Sequence, residues 1–329
     1  MILGLLVLLV PAGCGRERSV VVYTAVDQMY AEPIFTVFEQ QSGIKVLPVY
    51  DVEATKTTGL VNRLIAEKSS PQADVWWNNE FAQTLQLKAE GALEAYPTPA
   101  AASIPERYMD PDGYWTGMPA RARVIIVNTD LVDEPNWPNS REDLLDPKWG
   151  RGQVGIAYPL FGTTATEAAA LYATLGPEEA RDYYQRLAAS GARVVDGNSV
   201  VRDLVADGQL KLGLTDTDDA WGALRRGAPV KVIVPDQDNG GTLVIPGSVA
   251  LVAGAPHPTE ARKLIDYLAS EQVERAMIES DFCQIPMRLT DLRPDWLPGE
   301  GFRTMDVSFE RVYEQLPAVQ HDLREIFVR

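Results

Sequence analysis

The chain has 329 residues, with 30 Lys plus Arg against 46 Asp plus Glu and a formal net charge of −16. A surface of that sign repels nucleic acid and anionic membranes, and no basic stripe marks a nucleic-acid face. Hydrophobic residues make up 46%, enough for a real core, and the length favours about two domains.

The two cysteines, Cys14 and Cys283, form neither a disulfide framework nor a CxxC metal pair. The two histidines, His257 and His321, lack ligand spacing and read as surface or loop residues. The N-terminus MILGLLVLLVPAGCGRERS is more informative. Its apolar run Ile2–Val10 is too short to span a bilayer comfortably, and it ends in small residues before Cys14. This resembles a bacterial lipoprotein export signal, although Pro11 stands where Leu is usual and no Lys or Arg precedes the run. Residues 1–19 are therefore expected to be signal and linker, with lipidation at Cys14 as the only link to a membrane.

A strand–helix alternation follows. SVVVYT (19–24) is apolar throughout, the pattern of a strand buried on both faces. A helix over 29–43 puts Tyr30, Ile34, Phe35 and Phe38 on one face, before Gly43. Strands at 44–50 and 73–77 and helices at 58–68 and 80–91 complete a β-α-β-α-β-α series. Loops rich in Pro and Gly occupy 98–106 and 110–115, and 120–130 is a strand that crosses between domains. The alternation then restarts: strands at 152–158, 192–197, 211–216 and 229–235, with helices at 164–176, 177–191, 199–208 and 220–227. Residues 241–254 suggest a hairpin or crossing strands. Helix is expected over 258–280, and again near the C-terminus with a break at Pro317. The fold class is thus α/β with two lobes. Each lobe is a mixed sheet flanked by helices, and a ligand cleft lies between them. Residues 20–122 plus 242–292 form one lobe, and 123–241 plus 293–329 the other.

Ligands of open α/β sheets sit beyond the carboxyl ends of the strands. There the chain places Asp27, then Asn79 and Glu80, then Gly162, Thr163 and Thr164, then Asn198, and finally TDTDD, which contains Asp216, Asp218 and Asp219. Asp27, Thr164, Asn198 and Asp218 also suit ordinary N-caps. One cap is enough for a helix, however, and adjacent carboxylates repel unless a cation sits among them. The segments FGTT and GNS are anion sites by composition. Asp27, Glu80, Asp218 and Asp219 supply hard oxygens for a metal or counter-charges for an ammonium. Trp76 continues an apolar strand and reads as core; Trp77 and Trp221 are candidates for the cleft wall. Arg121 and Arg123, in the crossing strand, can reach the anion or bridge the lobes.

The lipoprotein-like start, VVVYTAVDQMYAEPIFTVFEQQSGIKV, SPQADVWWNNE, ARARVIIVNTDLV, GNSVVRDLVADGQLKLGLTD and DYLASEQVERAM together resemble bacterial periplasmic solute-binding proteins of ABC importers. The ferric-ion-binding branch is the nearest in pattern. The resemblance covers residues 20–290. It implies a type II binding-protein fold and a monomeric receptor that hands a small cargo to permease subunits. The family's anion-holding turn matches Gly162, Thr163 and Thr164, and its anion-binding Asn matches Asn198. Its carboxylate ligand falls at Asn79 or Glu80, its first-strand His on Asp27, and its paired tyrosines on Asp218 and Asp219. The usual phenolates are thus replaced by carboxylates. The cargo expected is ferric iron or another metal with a synergistic anion, with no resident cofactor. The alternative is an organic zwitterion or cation such as an aminophosphonate or polyamine. No GxSxG, GxxxxGK[ST] or HExxH signature is present. An enzyme reading therefore rests only on paired carboxylates, as in a hydrolase.

Overall fold

The structure is a computed structural model that describes residues 18–51, 58–298 and 302–327. The expected signal and Cys14 lie outside the described residues.

Strands β1 (Ser19–Thr24), β2 (Lys45–Tyr50) and β3 (Val75–Asn78) lie parallel in the order β2-β1-β3. Between them run α1 (Gln28–Ser42) and α2 (Thr58–Ala66). Gly43, at φ 64°, closes α1 in the left-handed conformation that glycine tolerates best. Helix α3 (Ala82–Ala89) and the short β4 (Leu93–Glu94) follow.

Strand β5 (Thr116–Asn128) is the long crossing segment. Up to Ala122 it pairs antiparallel with β10 (Val244–Val252); from Arg123 onward it pairs with β8 (Leu212–Asp216), and further along with β9 (Val230–Ile233). Strands β6 (Val154–Ala157) and β7 (Arg193–Val195) continue the sheet beyond β8. The path is β2-β1-β3-β10-β5-β8-β6-β7, with β4 on β10 and β9 on β5. Helices α4 (Gly162–Leu175), α5 (Pro177–Ala189), α6 (Asn198–Ala206) and α7 (Thr217–Arg225) flank the second half. Helices α8 (Pro258–Leu268), α9 (Glu271–Glu279) and α10 (Phe309–Phe327) complete the chain.

Packing follows the apolar spacing. Val20, Val22, Phe35, Trp77 and Leu264 form one core; Val124, Ile126, Val201, Val205 and Ala223 form another. A third, continuous cluster links the halves through Trp76, Ile125 and Phe309.

Three expectations are corrected. Residues 244–252 are one strand with a register shift at Pro246/Gly247, not a hairpin. The helix expected over 258–280 is two, because the Ser270 hydroxyl accepts from the Val273 N–H and starts a new helix. Helix α10 runs through Pro317 without interruption. Val312, Val319 and Leu323 are buried on one face, and this burial offsets the hydrogen bond that proline removes.

Candidate functional site

The site forms where β5 changes partners. Residues two apart on a strand share a face, so Arg121 and Arg123 point to the same side. Arg123 pairs with Asp216 across the sheet, and its side chain is 1% exposed. Its Nε donates to Glu167 Oε2 at 3.0 Å and its Nη1 to Asp216 Oδ1 at 2.7 Å. Nη1 also reaches Asn198 Oδ1 at 3.1 Å. Arg121 Nη1 donates to Asp218 Oδ2 at 3.1 Å and lies 3.5 Å from Asp216 Oδ2, while Nη2 donates to the Asn79 carbonyl at 3.2 Å. Arg121 therefore ties the loop after β3 to the start of α7.

Helical spacing organises the rest. Thr163 and Glu167, one turn apart on α4, face the same way. The Thr163 hydroxyl donates to Asp216 Oδ2 at 2.6 Å while Glu167 holds Arg123. Asn198 and Arg202, one turn apart on α6, behave alike. Asn198 Nδ2 donates to Asp216 Oδ2 at 3.0 Å, and Arg202 Nη1 donates to Asp219 Oδ1 at 3.2 Å. Asp216, Asp218 and Asp219 offer carboxylate oxygens within 4.8 Å of one another. The protein supplies the cations that such a cluster requires: each of the three carboxylates has its own guanidinium.

Burial works against ionising Asp216, but the guanidinium groups of Arg123 and Arg121 outweigh it and hold the carboxyl below its ordinary range. Asp219 is pushed up to about 8 by burial and then by the charges of Asp218 and Asp216. Asp218 is also raised, first by burial, despite Arg121. Among the described residues, its Oδ1 is buried without a hydrogen-bond partner, as is Arg123 Nη2.

The predicted residues divide as follows. Thr163 and Asn198 meet Asp216 directly, and the Thr164 hydroxyl lies 3.4 Å from Asn198 Oδ1. Gly162 starts α4 at φ 61°. Thr164, Asn198 and Asp218 are not N-caps. The flanking positions are Phe161, Gly197 and Asp216, and none of these caps with its side chain. Asp27 stands at the N-cap position of α1, where its carbonyl accepts from the Tyr30 and Ala31 N–H groups and its side chain makes no cap hydrogen bond. Glu80 is buried, and its carboxylate accepts from the N–H groups of Ala82 and Gln83 at 2.8 and 3.0 Å, a capping role the sequence reading did not assign. Asn79 reaches the cluster through its carbonyl. Trp77 is fully buried in the core, whereas Trp221 is partly exposed and donates from Nε1 to Asp281 Oδ1 at 2.7 Å.

Sequence reasoning missed Glu167, Arg202, Asp281 and Tyr30 as site residues. Burial raises the Tyr30 hydroxyl pKa, and the charges of Asp218, Asp27 and Asp281 add to it, so this phenol stands among carboxylates from three segments. A usable signal existed for Glu167, as for Arg121 and Arg123: charges inside largely apolar elements, TATEAAAL and ARARVIIV. Exposed Met29, Phe161 and Val200 sit within three residues of Asp27, Thr163 and Asn198. Two surface hollows, of ≈ 400 and ≈ 690 Å³, lie elsewhere, beside Trp149 and Phe309.

A family model described as bacterial extracellular solute-binding protein matches residues 70–310. The chain belongs to this family. Among its relatives, iron uptake protein A1 of Synechocystis is 26% identical over 280 residues, 82% of this chain and 76% of that protein. A Salmonella typhi periplasmic protein named for 2-aminoethylphosphonate binding is 26% identical over 298 residues, 88% of this chain and 82% of that one. Iron-bound HitA from Pseudomonas aeruginosa superposes with a TM-score of 0.82 at 22% identity, covering 93% of this chain and 99% of that one. The two-lobed binding-protein fold is therefore shared. These relatives are named as uptake or binding proteins, which supports a solute-binding role over the hydrolase alternative.

Proposed function

We propose that this chain is the extracytoplasmic receptor of an ABC importer and closes two lobes over a small cargo whose positive part is held by carboxylate. Residues 20–122 plus 242–292 and residues 123–241 plus 293–329 are the two moving bodies, hinged on β5 and β10. The cargo is ferric iron or another hard metal ion. The observation that carries this reading is the buried Asp218 Oδ1, unpartnered among the described residues, beside Asp219 and within the field of Tyr30. Carboxylate and phenol oxygens suit hard cations. Asp27 extends the donor set on closure. The protein is exported, anchored by a lipid on Cys14, and works as a monomer that delivers cargo to permease subunits.

A second reading is favoured by one observation: each carboxylate of the trio already has a guanidinium partner, which weakens the pull on a bare ion. An organic ammonium would then lie among Tyr30, Trp221 and Asp218. Native mass spectrometry with elemental analysis of protein purified without denaturation separates the two. A stoichiometric metal supports the first reading and an organic adduct the second. Neither species at equimolar level, even after exposure to ferric, divalent and amine probes, would sink the receptor reading of this site.

A further inference from the structure

The helix starts of α4 and α6 and the crossing strand together make an anion hole, and that hole is already filled. Its donors are the Thr163 hydroxyl at 2.6 Å, Asn198 Nδ2 at 3.0 Å, Arg123 Nη1 at 2.7 Å and Arg121 Nη1 at 3.5 Å. All four address the two oxygens of Asp216, which is 1% exposed. An aspartate immediately before a helix ordinarily turns its carboxylate onto the first-turn N–H groups. Asp216 stands at that position before α7 and makes no such bond. Its carboxylate is instead directed across the sheet into donors from three other elements. Arg123 would still be partnered by Glu167 without it, and Arg123 Nη2 is a buried donor with no acceptor among the described residues. The arrangement therefore offers more donor capacity than local charge balance requires.

We propose that Asp216 is a built-in anion that determines specificity: it takes the place an external anion would occupy, so the receptor binds its cargo without a co-bound anion and rejects cargo that carries phosphate or carboxylate at this point. The physical reason is occupancy together with charge. A second anion would meet the like charge of Asp216 in a low-dielectric pocket, where the four donors named above are already committed to that carboxylate. Removing the carboxylate leaves a cavity with a buried guanidinium, a hydroxyl and an amide, the chemistry that binds oxyanions. The consequence for cargo rests on the receptor reading above; the anion hole itself does not.

The test uses inorganic phosphate as probe, with the full chain at constant ionic strength, followed by calorimetric titration and by melting temperature. Wild-type protein should show no saturable phosphate binding. Asp216→Ala should gain it, with a Kd about thirtyfold or more below the weakest binding that the wild-type titration can detect. Adding Thr163→Val to Asp216→Ala should remove most of that gain. If Asp216→Ala does not fold alone, refolding with phosphate or acetate should restore it, and recovery with either anion supports the proposal. If neither anion restores it, the wild-type titration decides, because saturable phosphate binding that is lost in Thr163→Val overturns the proposal. A folded Asp216→Ala that ignores phosphate also overturns it, as does wild-type protein that carries cargo and phosphate in equal amounts. Gained phosphate binding in the variant with no cargo on wild type would leave this inference standing and sink the receptor reading alone.

Discussion

Asp219→Asn is the sharpest perturbation of the carboxylate cluster. The Asp219 side chain is 15% exposed, accepts from Arg202 at 3.2 Å and lies 3.5 Å from the Thr215 hydroxyl. Burial and then the charges of Asp218 and Asp216 push its pKa to about 8. The folded value lies above the unfolded one, so folding takes up a proton between roughly pH 4 and pH 8. The stabilisation is complete below about pH 4 and is lost as pH rises through about 8. Each tenfold change in proton affinity is about 1.4 kcal/mol, which sets a ceiling of about 6 kcal/mol. Screening by water at the exposed edge reduces the expected loss to about 2–3 kcal/mol. At about 2–4 °C per kcal/mol, this lowers the melting temperature by about 4–12 °C between pH 5 and pH 9. Asparagine keeps the shape and an acceptor for Arg202 but cannot ionise, so the variant should lose that part of the slope. Melting curves of both proteins across that range, read by circular dichroism, measure the difference. Equal slopes in the two proteins would refute the account of this carboxyl.

Arg123→Met takes the guanidinium from buried Glu167 and leaves Asp216 with Arg121 alone, and should cost about 3–5 kcal/mol by urea denaturation. Glu167→Gln in the same chain should return at least about 1 kcal/mol. Gly213→Ala would set a Cβ 2.4 Å from Val201 Cγ1 and 2.9 Å from the Gly155 carbonyl oxygen. It should therefore cost about 1–3 kcal/mol in thermal unfolding. Asp218→Asn removes the unpartnered carboxylate oxygen. It should weaken cargo binding by about 2–5 kcal/mol in a direct titration while leaving unliganded stability within about 1 kcal/mol.

The alternation of elements was readable because strands buried on both faces are runs of apolar residues bounded by turn formers, as in SVVVYT and GLTD. Helix ends were less readable. Asp218 looks like a cap because it follows a strand by a few residues, yet β8 continues to Asp216 through its pairing with β5, which moves the start of α7 to Thr217. Pro317 reads as a helix break because local sequence does not report what the other face of α10 buries.

The sequence by itself determined that acidic, hydroxyl and amide side chains gather at strand ends, because covalent order places Gly162–Thr164, Asn198 and TDTDD after apolar strands. Only the tertiary structure decided which of these groups meet. Asp216 and Arg123 are 93 residues apart, and Thr163 and Asp216 are 53 apart. Their pairing depends on the strand order β5-β8-β6 and on the register that sets Arg123 opposite Asp216. A one-residue slip would turn both arginines to the other face. The charge of the cluster was therefore legible in composition. Its neutralisation by Arg121, Arg123 and Arg202 was not, because that pairing depends on long-range strand register and local spacing carries no record of it.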